Sequence, residues 1–309
     1  MSEDITRIIF EILVEEDRRR PTYALLSRQV QRWVEPVIYR EVVPDLWRGR
    51  FHRSVTALVS TKPPNFFALH VKTLFFKVHY PDPDDKRAAE ILERCSGVLS
   101  LAVWSYVSEP DALLEPLPHL QKALQLPSLS PARLSLSQIV LSSNTPMNRA
   151  FSHPIFTHHL DITCTQEQGI WFSPSLVQLS NLTHLSVDVQ IEGLDPTNVA
   201  TDVIRDSPEN LQVLLIWPSA DTFTSKCRDG MQALVRGEVD TRAVLGFLRD
   251  PDAPTGPAAN FEVTSEDFLG EWSNPSKGGA LWASAERVIE KRQEKLVEVQ
   301  SRNCADTAK

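Results

Sequence analysis

Histidine and cysteine side chains gather in one stretch of the chain: His153, His158, His159 and Cys164, with His184 twenty residues further on. Imidazole nitrogen and thiolate sulfur together are zinc-binding chemistry. In a strand running from Leu160 to Cys164, however, alternation places Cys164 on the face of Leu160 and Ile162, and His159 on the other. That geometry predicts a buried structural thiol and no metal site. The sequence has no GxGxxG, GxxxxGK[ST], GxSxG or HExxH pattern, and its 11 glycines leave few positions for phosphate-cradling loops. The reading is a chain without catalytic residues, metal or cofactor. Its function is then to be sought in what it holds rather than in what it cuts.

At 309 residues the chain can bury a large core, and 42% hydrophobic with 23% charged residues is the balance of a soluble globular protein. No apolar run approaches the roughly 18–20 residues of a membrane helix. The start of the chain lacks the basic–apolar–small order of a signal peptide. Four separated cysteines without a CxxC pair point to a reduced compartment, cytoplasmic or nuclear. A net charge of −8 argues against nucleic acid as a partner. The charge is uneven: residues 1–53 hold ten Arg and nine Asp/Glu, and the other 256 carry a net of −9. An Arg-rich head is expected on an acidic body.

In the head, residues 1–45, Ser2 suits an N-cap, and Ile5, Ile8, Ile9, Ile12 and Leu13 follow at helical spacing. Residues 15–20 break the pattern, and Pro21 suits the first turn of a second helix. That helix is expected to bury Tyr23, Leu25, Leu26 and Val30 and to continue toward Trp33, Val34, Val37 and Ile38, with Pro36 limiting its regularity.

In the body, residues 46–230, a short Leu-x-apolar motif recurs. Its key leucines are Leu74, Leu101, Leu134, Leu160, Leu185 and Leu214, separated by 27, 33, 26, 25 and 29 residues. Leucine-rich repeats run about 20–29 residues, and a repeat unable to bury its strand alone must stack on its neighbours. The expected architecture is α/β: short N-terminal all-α helices, an irregular leucine-rich-repeat-like βα solenoid, and a C-terminal helical cap. Asp250–Pro257 reads as a turn-rich loop. Residues 231–300 are expected to form the α-rich cap, ending in an amphipathic helix over Leu281–Gln300 with Trp282, Ala285, Ile289 and Leu296 on one face. Residues 301–309 are expected to be disordered.

The head resembles an F-box. Glu3-Asp4-Ile5, Ile9-Phe10, Leu13 and the run Ala24-Leu25-Leu26-Ser27-Arg28-Gln29-Val30 match the blocks of that pattern and their spacing. Met1-Ser2 replaces its Leu-Pro opening, and Val30 stands where an aromatic is common. Over its length the chain also resembles a group of mushroom-forming fungal proteins with an F-box head and a repeat body, through Tyr23–Pro36, Asn181–Val187 and Trp282–Arg292. The resemblance implies that Ile5, Ile9, Phe10, Leu13, Leu26 and Val30 dock the Skp-type adaptor of a cullin–RING ubiquitin ligase. The body would then hold a client protein, with Trp47, Trp104, Trp171 and Trp217 as candidate anchors, because Trp is frequent among interface hot spots. The alternative is a repeat scaffold whose head is only a structural cap.

Overall fold

The computed structural model describes residues 2–16, 21–42, 62–63, 65–80, 85–107, 117–137, 157–164, 176–177, 179–189, 194–218, 227–249, 259–273 and 279–307. The head consists of α1 (Glu3–Glu16), a 3-10 turn (Pro21–Leu25) and α2 (Arg28–Ile38). The expected second helix is split at Ser27, whose extended backbone lets its Oγ accept from the Val30 amide at 3.1 Å. As a result Leu25 and Leu26 point to solvent instead of into a core. Val14, Val30, Val34 and Val37 form the small core of the head, with Phe10 packed edge-on against Tyr23.

The rest of the described chain is mixed α/β. A nine-stranded parallel sheet follows strict sequence order, β1 to β9. Its strands are β1 (Glu41–Val42), β2 (Thr73–Tyr80), β3 (Ser100–Val107), β4 (Arg133–Ser137), β5 (His159–Cys164), β6 (His184–Val189), β7 (Val213–Pro218), β8 (Ala243–Arg249) and β9 (Phe261–Thr264). Between them run α3 (Phe66–His70), α4 (Asp85–Arg94), α5 (Pro118–Leu124), α6 (Pro196–Arg205) and α7 (Arg228–Arg236). The chain ends with α8 (Ser265–Ser273) and α9 (Ala280–Thr307).

The recurring leucines set the register. Leu74, Leu101, Leu134, Leu160, Leu185, Leu214 and Ala243 are successive partners across the sheet. A second ladder two residues on runs Val103, Leu136, Ile162, Val187, Ile216 and Leu245. Both ladders are buried against α4 to α7 through residues such as Leu92, Leu120, Val199 and Leu234. Full burial of each such side chain contributes about 2 kcal/mol, and truncating one, for example Leu160→Ala, is expected to cost about 2–5 kcal/mol.

Strand entry repeats as well. The amides of residues 72 and 73 share the Arg40 carbonyl, those of 99 and 100 the Lys72 carbonyl, and those of 183 and 184 the His158 carbonyl. Side chains reach the preceding unit at the same end: Thr157 Oγ1 donates to Pro131 O, Thr183 Oγ1 to His158 O and Asn210 Nδ2 to Ser180 O. These contacts satisfy backbone carbonyls in the turns that lead into the strands.

The C-terminal part differs from the expected cap. The sheet does not stop at residue 230: α7, β8 and β9 extend it to Thr264, with Ala243 in the leucine position. Helices α8 and α9 then fold back across the second face of the sheet, on Phe75, Ala102, Val213, Leu215, Trp217 and Val244. A parallel sheet apolar on both faces needs cover on both, which explains the return. Residues 301–307, expected to be disordered, continue α9, since no Gly or Pro interrupts the helix there. Asp250–Pro257 lies outside the described residues. Among the described residues no helix is long and apolar enough to cross a membrane.

Candidate functional site

Two surfaces gather residues suited to recognition. The first is the outer side of the head. Ile5, Ile9 and Leu13 recur every four residues along α1 and are 51%, 41% and 36% exposed, with Leu26 at 63%. Four of the six proposed adaptor contacts therefore face solvent. The other two do not: Val30 is buried in the head core and Phe10 is half-buried against Tyr23, so they hold α1 on α2. Ile8 and Ile12, with Trp33 and Pro36, line a groove of about 400 Å³ between the two helices. Ile5, Ile9 and Leu13 thus form an apolar stripe that α1 presents to solvent.

The end of α2 is fixed to the body. Tyr39 packs edge-on against Phe66 and Phe67 at 5.4 and 6.0 Å, and Lys62 pairs with Glu35. The tie orients the stripe without covering it.

The second surface is the sheet face under α8 and α9, where the strands carry polar residues in register. At the strand starts Arg133, His159 and His184 are successive partners; two residues on stand Ser135, Asp161 and Ser186. Asp161 is fully buried, and Ser135 Oγ donates to its Oδ2 at 2.6 Å. Burial pushes its carboxyl up from 3.8 to about 6, against the opposing influence of the Ser135 and Ser186 hydroxyls. Trp104 Nε1 donates to Ser135 Oγ at 2.7 Å, and Trp217 Nε1 to Ser186 Oγ at 2.9 Å. The two indoles thus lean inward from either side of Asp161.

The returning helices add acidic partners for two of these side chains. Arg133 Nη2 meets Glu271 Oε1 of α8 at 2.9 Å, and His184 Nε2 meets Glu286 Oε1 of α9 at 3.0 Å. The rings of His159 and His184 stack at 4.5 Å, with Trp282 of α9 within 5.4 Å of both. Burial, and then the charges of His184, Arg133 and His158, lower the His159 imidazole to about 3. Burial also lowers His184, with Glu286 opposing. Arg292 locks the arm in place by donating to the carbonyls of Leu234, Val235, Thr241 and Ala243.

The structure keeps Cys164 apart from the histidines. It lies with Leu160 and Ile162 in the opposite core, a free buried thiol raised to about 12 by desolvation. Among the described residues no group of His, Cys, Asp and Glu is arranged to hold a metal. His153 lies outside the described residues, as do Trp47 and Trp171 among the proposed client anchors. Of the other two, Trp104 is half-buried, and Trp217, expected to be exposed, is 1% exposed beneath Phe261 and Phe268. Sequence reasoning passed over Ser135, Asp161 and Ser186. Their signal was present: the residue after each key leucine is apolar at the outer strands and polar at these three central ones. No family model matches the chain, and comparison with curated proteins finds no match.

Proposed function

We propose that the chain is an F-box-type substrate receptor of a cullin–RING ubiquitin ligase, with a leucine-rich-repeat-like solenoid as its client-holding body. The observation that carries this reading is the exposed stripe of Ile5, Ile9, Leu13 and Leu26 on helices held at a set angle to the sheet. The solenoid reading draws support from strands ordered as they occur in the chain, with key residues 25–33 apart and a recurring two-amide entry. The head binds a Skp-type adaptor and the body binds the client. Catalysis by the partner enzyme then gains from effective concentration, with no chemistry by this chain. Such a receptor works in the cytoplasm or nucleus.

A second reading, a repeat scaffold whose helices only cap the sheet, is favoured by the fixed junction of Tyr39 with Phe66 and Phe67. Co-purification with a fungal Skp-type adaptor separates the two. The full chain is expected to form a stoichiometric complex, and the Ile9→Asp/Leu26→Asp variant to lose it while keeping its melting temperature. Absence of a complex from folded wild-type protein would select the scaffold.

A further inference from the structure

Above the central strands, Phe268 of α8 stands between two tryptophans. Its ring is 5.9 Å from Trp104, nearly parallel at 28°, and 5.6 Å from Trp217, at 80°. Phe75 backs Trp104 at 4.8 Å and Phe261 backs Trp217 at 5.8 Å. Between the strands that bear the tryptophans lies Asp161, wholly buried, its Oδ1 without a hydrogen-bond partner. Among the described residues no cation pairs with it. A buried carboxylate whose serine neighbours accept from indoles on either side is matched by a flat cation, which stacks on aromatic faces and satisfies a carboxylate at once. A neutral phenyl ring meets the first demand and leaves the second unmet.

The cover itself is poorly satisfied. Arg133 Nε, Trp272 Nε1 and Trp282 Nε1, where α8 and α9 meet the sheet, are also buried without partners, as are Thr73 Oγ1 and Ser100 Oγ at the starts of β2 and β3. Each such group holds the cover less firmly than a paired one would. The arm is thus held by apolar contact while several polar atoms beneath it go unpaired.

We propose that the sheet face around Asp161 is a binding site for an arginine side chain of a partner polypeptide, occupied in this conformation by Phe268 of the chain's own α8. The guanidinium enters between Trp104 and Trp217 and pairs with Asp161, and α8 yields the position. Nothing in this site depends on the head, so it is independent of the adaptor reading.

The test uses the full chain and places the cation both in cis and in trans. In cis, Phe268→Arg is compared with Phe268→Leu, each with and without Asp161→Asn. Phe268→Arg is expected to melt above Phe268→Leu, and Asp161→Asn to erase that difference. In trans, Phe268→Ala is titrated with millimolar methylguanidinium, read by tryptophan fluorescence, with benzene as the neutral control. Saturable binding of the cation in preference to benzene is expected, weakened roughly tenfold or more by Asp161→Asn. The site is overturned if Phe268→Leu folds and Phe268→Arg does not, if their difference survives Asp161→Asn, or if benzene binds as well as methylguanidinium.

Discussion

Arg133 and Glu271 lie 138 residues apart in the chain, yet Arg133 Nη2 stands 2.9 Å from Glu271 Oε1 and also donates to the Glu271 carbonyl at 3.1 Å. The guanidinium rests over the Trp272 ring at 5.0 Å, and the two charged side chains are 13% and 3% exposed. The pair fixes α8 on β4. Removing one partner leaves a buried charge alone, so Arg133→Met is expected to cost about 3–5 kcal/mol, whereas Arg133→Met/Glu271→Leu recovers much of the loss. Urea unfolding of both single variants and the double variant gives the coupling energy. Additive losses would show that the pair does not hold the arm.

The buried acid and the buried imidazole oppose each other in pH. The Asp161 carboxyl is raised from 3.8 to about 6, so between those values the folded state alone binds the proton. Stability from this group is therefore full below pH 3.8 and lost as pH rises through about 6, on the order of 3 kcal/mol. His159 is lowered from 6.5 to about 3, so stability is present above 6.5 and lost as pH falls toward 3. Urea midpoints at pH 4 and pH 7 are expected to show Asp161→Asn gaining on wild type at the higher pH. His159→Gln gains at the lower. A pH-independent gap for Asp161→Asn would mean that its carboxyl titrates as if solvated.

The leucine spacing carried the sheet. All six key leucines stand in register, because a strand face that must be buried in a stack fixes its own period. The motif faded at Ala243, where a small residue fills the leucine position, so β8 and β9 went unread. The second face was harder to read, since alternation separates two faces without saying what covers each. Trp217 looked like a surface anchor, yet it needs α8 to bury it. Trp282, Ala285 and Ile289 mark an apolar seam equally suited to the end or the face of a sheet, and only the Glu271 and Glu286 partners, Arg133 and His184, decide between them. In the head, Ser27 decided the outcome locally: its cap begins α2 at Arg28 and turns Leu26 outward.

That outward turn makes the head a two-sided test. Val34 is wholly buried between the helices, whereas Ile9 is exposed on α1. Val34→Asp places an unpaired charge in the head core and is expected to unfold α1 and α2. Ile9→Asp is expected to shift stability by no more than about 0.5 kcal/mol. Hydrogen exchange across residues 3–38 reads the head apart from the sheet. Loss of protection in Ile9→Asp would mean that the stripe is packed rather than presented.

Two glycines give opposite expectations from the same substitution. At Gly246 in β8, an added Cβ would stand 2.4 Å from Trp217 Cζ3 and 2.7 Å from Cε3 and Cη2. The indole cannot retreat, because its Nε1 is bonded to Ser186 and its ring is flanked by Phe261 and Phe268. Gly246→Ala is therefore expected to cost about 1–3 kcal/mol or more through overpacking and to alter the near-ultraviolet signal of the buried tryptophan. Gly270 sits within α8 with nothing inside 4 Å of its added Cβ. There the methyl removes backbone freedom from the unfolded chain and favours the helix, so Gly270→Ala is expected to stabilise by about 0.4–1 kcal/mol. Thermal melts of the two variants beside wild type provide the check. A neutral Gly246→Ala would place the Trp217 ring elsewhere, and with it the wall that Phe268 rests on.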